Sequence, residues 1–349
     1  MIIRSAWLIL LALSVSSCTS EQDLHSEAQR FLPREIWRVT APLNEPVRLR
    51  VYRHFILVAD MQAAQPFPLW DTAGTFMGYL GSGWGEGPEE FSRYALPVGG
   101  FNDSMWVVLD LSRGRTVALA WPSRRVYGSA YTGFLEGATL SRSRMVYPLR
   151  EGKYLLALRP FALRQEQWSL AKDTLYWGPI DSIEAFQPLR NSPFLRSMAL
   201  NTDAAGQVLV AFRWASIIAT FSPEGTLGFL TDAPWHVSFP PHWDMRVAPS
   251  PATYPEQYLD VAADASVVYA LYSGKKLEIR GAGDLTRLLT GEMEVEVGQT
   301  IACFDQRTGA LLDTLHFPFN LRSLDARDGA LYVLTTEPSL IKYAAPCVR

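Results

Sequence analysis

The sequence predicts an all-β fold: a six-bladed β-propeller over residues 34–349, with an N-terminal strand closing the last blade. Three observations predict it. Six short apolar runs recur at roughly 50–60 residues, a propeller-like period. They are "FILVADM" (55–61), "MWVVLDL" (105–111), "KYLLALR" (153–159), "QVLVAFR" (207–213), "VVYALYS" (267–273) and "LYVLTTE" (331–337). Their Val, Leu, Tyr and Phe content suits buried strands. Turn residues precede several runs, and a further strand pair follows most. An irregular pair of β-sandwiches is the alternative all-β reading.

The chain opens with a targeting segment. Arg4 gives a positive start, and "AWLILLALSV" (6–15) is an apolar stretch too short to span a bilayer as a mature helix. "VSSC" then places small residues before Cys18, which resembles a lipobox, the site where a bacterial signal peptidase cuts and the cysteine receives lipid. An ordinary signal peptide with a chance cysteine is the plainer reading. Lipid on Cys18 would hold the protein to a membrane without spanning it, since each buried CH₂ adds roughly 0.8 kcal/mol. This divides the chain into a signal peptide (1–17), a lipidated Cys18 with a polar tether (18–33), and the propeller (34–349).

"REIWRVTAP" (34–42) can supply the outer strand that the short last unit lacks, because only "SLIKYAA" (339–345) follows "LYVLTTE". Between units, Asn102-Asp103, Asp203 to Gly206 and Asp328-Gly329 precede apolar runs. Asp and Asn bond their own backbone and Gly supplies positive φ, so hairpins are expected there. Further hairpins pivot on Asp71 to Gly74, Pro223 to Gly225 and Asp305 to Gly309. The third unit is divergent, and the fifth carries an insertion at about 281–298.

The chain has 349 residues, is 48% hydrophobic and carries a formal net charge of -3. That is globular composition with length for a large core. The near-neutral balance gives no electrostatic footprint for nucleic acid. "GYLGSGWGEGPEEFSRY" (78–94) has glycines at 81, 83, 85 and 87, yet no Lys for phosphates, three nearby carboxylates, and no helix after it. It is neither a P-loop nor a dinucleotide fingerprint. It reads as the connector between the first two units, with Phe91 and Tyr94 packing between blades.

"GSGWGEGPEEF" (81–91) resembles the Gly-x-Gly-x-Gly-Pro-Gly-Glu-Phe connector of the TolB-like six-bladed β-propeller lipoproteins of Bacteroidetes-type bacteria, with Glu89 where the family has Gly. "YALYSGK" (269–275) and "IACFDQRTG" (301–309) resemble two more signatures of that family. The resemblance covers about residues 34–345. It implies a six-bladed fold and an envelope address, and no established reaction. In bacterial sorting, the lack of Asp directly after the cysteine favours the outer membrane.

Candidate functional residues follow. The longest irregular stretch, Asp232 to Tyr258, carries Trp235, His236, His242 and Trp243. Such a long loop is uncommon unless functional, and exposed tryptophans suit contact anchors. The plain reading is that these rings cover one face or plug the channel. His236, His242 and Asp244 match no standard metal spacing. Asp60 and Asp110 end their strands at equivalent positions; paired carboxylates on a channel could hold calcium or act as acid and base, and an Asp there also commonly accepts backbone N–H groups. Arg159 and Arg213 are equivalent one step later, as cations for an anionic ligand or as structural ion pairs. Tyr272 and Lys275 are similarly ambiguous. Cys303 and Cys347 are either a disulfide, which an oxidising envelope permits, or two thiols.

The expectation is therefore a lipid-anchored, non-catalytic binding module for an envelope protein or peptide, with no cofactor. One alternative is a metal-dependent, lactonase-like propeller hydrolase or lyase using Asp60, Asp110, His236 and His242. The other is a glycan-binding accessory of an outer-membrane uptake system, stacking sugars on Trp235 and Trp243.

Overall fold

A computed structural model describes residues 33–102, 104–131, 139–141, 144–148, 155–160, 170–177, 198–213, 216–232, 256–274 and 297–347. Among them every regular element is a strand. The targeting segment, the tether and most of the insertion at 281–298 lie outside the described residues.

The strands form antiparallel sheets in chain order. The first holds β2 (Pro46–Tyr52), β3 (Phe55–Asp60), β4 (Phe67–Asp71) and β5 (Phe76–Leu80). The second holds β6 (Ala95–Asn102), β7 (Met105–Asp110), β8 (Arg115–Ala120) and β9 (Val126–Tyr131). The third holds β10 (Thr139–Ser141), β11 (Arg144–Pro148), β12 (Leu155–Pro160) and β13 (Leu170–Trp177). The fourth holds β14 (Met198–Thr202), β15 (Val208–Phe212), β16 (Ile217–Phe221) and β17 (Leu227–Asp232).

The last sheet has seven strands: β18 (Tyr258–Asp264), β19 (Val267–Tyr272), β20 (Gly298–Asp305), β21 (Leu311–Arg327), β22 (Ala330–Thr335), β23 (Leu340–Ala344) and, at its edge, β1 (Glu35–Val39). It is two four-stranded groups that share β21. The first part of that long strand pairs with β20, from Leu311 opposite Phe304 to His316 opposite Thr300. Its last part pairs with β22, from Leu321 opposite Thr335 to Arg327 opposite Ala330. Pro318, with no N–H to donate, lies between the two paired stretches.

Five of the six apolar runs are the second strand of their group, and the structure shows why they are apolar throughout; the run at 153–159 is β12, the third strand of its sheet, so Arg159 and Arg213 do not occupy equivalent positions. Alternate side chains of a strand point to opposite faces. In β3, Leu57 and Ala59 pack with Trp106, Val108 and Val117 of the second sheet, while Ile56 and Val58 pack with Tyr332, Leu334 and Leu340 of the last. In β19, Tyr269 and Leu271 face Leu324 and Leu331, while Val268 and Ala270 face Leu209 and Ile218 of the fourth sheet. Both faces are buried, so polar alternation disappears.

Hairpin turns use the residues expected of them. Asp71 Oδ1 accepts the N–H of Ala73 (3.0 Å) and Thr75 (2.7 Å), with Gly74 at φ 94°. Asp305 Oδ1 accepts the N–H of Arg307 (3.1 Å) and Thr308 (2.7 Å), with Gly309 at φ 72°. In the 81–91 connector, Gly85 donates to Phe91 O (3.1 Å) and Phe91 donates to Gly83 O (3.0 Å). Arg113 donates to Gly87 O (3.0 Å) and Glu90 O (2.9 Å), and Arg115 to Pro88 O (2.9 Å). Phe91 is fully buried against Phe67 and Leu57 on one side and Ala95 and Trp106 on the other. Tyr94 does not join it. Its carbonyl accepts from Leu111 N (3.1 Å), and its ring is left 58% exposed.

The N-terminal strand closes the last group. Arg38 pairs with Ile341 and Val39 with Leu340. Trp37 donates from Nε1 to Thr72 O (3.3 Å), packs on Tyr332 and covers Gly74, where a Cβ would fall 3.2 Å from the indole. Cys303 and Cys347 form a disulfide with Cα atoms 6.5 Å apart. The Tyr269 hydroxyl donates to Pro346 O (2.8 Å), so the C-terminal tail is held twice. Removing residues 1–40 should expose β23 as an open edge. We expect a melting temperature lower by roughly 5 °C or more, with concentration-dependent association. Thermal melting and size-exclusion chromatography against a chain beginning at residue 33 test this; equal melting would contradict the closure.

Candidate functional site

The first strands of the groups meet around one axis, where apolar packing gives way to a polar cluster. Arg50 comes from β2, Asn201 from β14, Asp260 from β18, and Ser323 and Asp325 from β21; all five are buried. Arg50 Nη1 donates to Leu49 O (2.8 Å), and Nη2 donates to Leu200 O (3.0 Å). The guanidinium also pairs with Asp260 at 3.3 Å. Asp260 accepts from the Ser323 hydroxyl (2.5 Å), Leu324 N (3.2 Å) and Val261 N (3.1 Å). Ser323 Oγ accepts from Leu49 N (3.2 Å). Asp325 accepts from Val51 N (2.7 Å), Ala326 N (2.8 Å) and Asn201 Nδ2 (3.1 Å).

Two carboxyls thus share the field of one buried guanidinium. Burial pushes both up. At Asp260 the Arg50 and Arg48 charges and the Ser323 hydrogen bond outweigh burial, and the carboxyl is held below its ordinary range. At Asp325 burial prevails over Arg50 and the backbone donors, with Asp260 adding repulsion, and the carboxyl is raised.

Beside this cluster lies a cavity of about 280 Å³. It is lined by the ends of first strands and the turns that follow: Arg50 to Arg53, Val98 to Gly100, Asn201 to Ala204, Gly206 and Arg327. C-terminal ends gathered at one place mean that these strands run in the same sense about the axis. Tyr52 is central to the wall. The guanidinium carbons of Arg53 and Arg327 lie 5.6 and 5.8 Å from its ring centroid. Trp106 meets the ring edge-on at 6.1 Å. Gly100 makes room for it, since a Cβ there would fall 2.1 Å from Tyr52 Cδ1.

The residues singled out in the sequence are placed elsewhere. Asp60 accepts Asn44 N (2.6 Å), Glu45 N (2.8 Å) and Gln62 N (3.1 Å). Asp110 accepts Ser92 Oγ (2.5 Å) and Ser92 N (3.3 Å), and Arg115 Nε lies 3.4 Å away. Both carboxylates therefore fasten the segment leading into the first strand of their own sheet. Arg213 pairs with Glu256, with Nε donating at 2.9 Å, and joins the end of β15 to the start of β18. Tyr272 is half-buried, its ring 6.0 Å from that of Tyr258, and burial raises its hydroxyl pKa. Arg159 belongs to β12, with its side chain outside the described residues. Cys18, Trp235, His236, His242, Trp243 and Lys275 also lie outside them.

Arg50, Asp260, Asp325 and the Tyr52 pair of arginines escape the sequence reading, which followed the apolar second strands. The signal was a charge inside an otherwise strand-like first segment: "PVRLRVY", "QYLDVAAD" and "LRSLDAR".

No family model matches the chain, and no curated protein matches it. Among solved structures, the selenomethionine-substituted virginiamycin B lyase from Staphylococcus aureus superposes with a TM-score of 0.51 at 8% identity, over 90% of this chain and 99% of that one. The β-propeller domain of Cps50 (Swd1) from Myceliophteria thermophila gives a TM-score of 0.46 at 9% identity, over 90% and 99%. The fold is a β-propeller. At such identity the likeness speaks for the fold alone.

The axial cluster predicts a pH-dependent defect. Asp260 stabilises the fold above its ordinary pKa of 3.8, and that contribution is lost as pH falls through its depressed folded value. Asp325 has the opposite sign: its contribution is present below the ordinary value and lost as pH rises through its raised one. Arg50→Met removes the cation from both. We expect a loss of about 3–5 kcal/mol at pH 7, because an unpaired buried charge remains. The deficit relative to the parent should shrink on acidification, as the carboxyls become neutral. Denaturant titrations at several pH values measure it; a loss below about 1 kcal/mol, or one independent of pH, would contradict the account.

Proposed function

We propose that this chain is a lipid-anchored, six-bladed β-propeller of the TolB-like lipoprotein type that binds a protein or peptide partner in the bacterial envelope, at the outer membrane, without chemistry of its own. The blade count rests on the four separate sheets plus the two groups that share β21. The anchor rests on the apolar segment and "VSSC" before Cys18.

The observation that carries the binding reading is the division of labour at the axis. The carboxylates of Asp260 and Asp325 take fixed donors from the first strands β2, β14 and β21, so they hold the frame. Asp60 and Asp110, the residues that a metal-dependent reading would use, hold backbone N–H groups instead. What is left open is a small cavity with a cationic wall at one end of a stiff ring. Rigid scaffolds presenting turns and a preformed pocket lose little entropy on association. The lipid would add proximity to envelope partners.

Crosslinking in native envelopes tests the reading. The full-length tagged protein should retain a stoichiometric envelope partner through purification, and Cys18→Ala should lose both membrane fractionation and the partner. A protein that fractionates with membranes yet retains nothing above background would sink the binding role. Unchanged membrane fractionation of Cys18→Ala would sink the lipid anchor.

A further inference from the structure

Arg50, Arg53 and Arg327 line the cavity at the axis. Among the described residues its one acidic wall residue, Asp203, is engaged: Oδ1 accepts Gln207 N (2.8 Å) and Oδ2 accepts Gln306 Nε2 (2.6 Å). Arg327 stacks on Tyr52 and has no carboxylate at ion-pair distance among the described residues. Arg50 is 2% exposed, and its Nε–H has no acceptor. A buried donor without an acceptor is costly, most of all on a charged group. Arg53 and Arg327 are held against the Tyr52 ring before any ligand arrives.

We propose that this cavity receives a single carboxylate, carried on an acidic side chain or a chain terminus of the partner. The role of a partner rests on the reading above; the site itself does not. Three features select the ligand. Guanidinium groups match the planar, two-oxygen geometry of a carboxylate. The volume, about 280 Å³, lies below the range of about 300–1,000 Å³ usual for whole small-molecule ligands, so one functional group fits better than a cofactor. Asp203 in the wall, and Asp260 and Asp325 behind Arg50, oppose a doubly charged phosphate more than a monoanion. Arg327 and Arg53 supply charge, Tyr52 fixes their position, and Gly100 fixes Tyr52.

The test uses the full-length protein in detergent and three probes followed by ligand-observed NMR. They are N-acetyl-Gly-Gly-Glu-Gly-Gly-amide, N-acetyl-tetraglycine with a free carboxylate, and inorganic phosphate. Saturable binding of the first identifies a side-chain carboxylate, and of the second a chain terminus. The Gln version of the first peptide should not bind. Arg327→Gln should weaken binding by roughly tenfold, the loss of one charged hydrogen bond, and Arg125→Gln on the surface should not. Gly100→Ala, which displaces Tyr52, should weaken binding as well. If Arg327→Gln melts early, Arg53→Gln makes the same comparison. Silence from both carboxylate peptides, equal binding by Arg327→Gln and parent, or a preference for phosphate would each overturn the assignment. Envelope capture separates the two levels. A partner retained equally by Arg327→Gln overturns the cavity and leaves the binding module standing. Peptide binding without any envelope partner does the reverse.

Discussion

The Arg50–Asp260 pair is the contact on which the rest of the molecule depends. It joins β2 to β18 at the axis, and Arg50 also reaches the carbonyl of Leu200 in β14. A buried ion pair is not in itself a strong source of stability, because desolvation offsets most of the attraction. Its value here is positional. Asp260 accepts the Leu324 N–H and Asp325 accepts the Val51 N–H, so β18, β21 and β2 are fixed in height as well as in distance. Apolar faces between sheets tolerate sliding far better than hydrogen-bonded carboxylates do. Sheet-to-sheet packing supplies the cohesion, and the axial cluster supplies the register.

Much of the fold was legible because propeller strands are buried on both faces. That burial makes the second strand of five groups a continuous apolar run, namely β3, β7, β15, β19 and β22. The closing strand around Trp37 was legible from the shortness of the last unit. The continuity of β21 was not, because nothing in a linear pattern shows that one strand pairs first with β20 and then with β22. Tyr94 was misplaced for a related reason. Sequence spacing puts it next to Phe91 and cannot say which of two aromatic residues turns inward.

The site was far less legible. First strands line the axis, where polar residues are tolerated because several strands converge to satisfy them. Arg50, Asp260 and Asp325 therefore interrupt the apolar pattern and look like surface residues in a linear reading. Their partners are distant in sequence, 210 residues apart for the ion pair. Trp235, His236, His242 and Trp243 stand out in a linear reading because Trp and His are rare in the chain. The equivalence of Asp60 and Asp110 was real, and its meaning is architectural: each fastens the entry to its own sheet. The two ends of the axis consequently differ. Connectors enter at one end, held by carboxylates, and the arginine-walled cavity lies at the other.

The axial polar cluster fixes the register of the first strands that meet in it. Native-state hydrogen exchange tests it directly. The amides of Leu49, Val51, Leu324 and Ala326 donate into the cluster. The account predicts that they exchange only on global unfolding, later than amides of outer strands such as β5. Exchange of these four through local opening, while the outer strands stay protected, would contradict it.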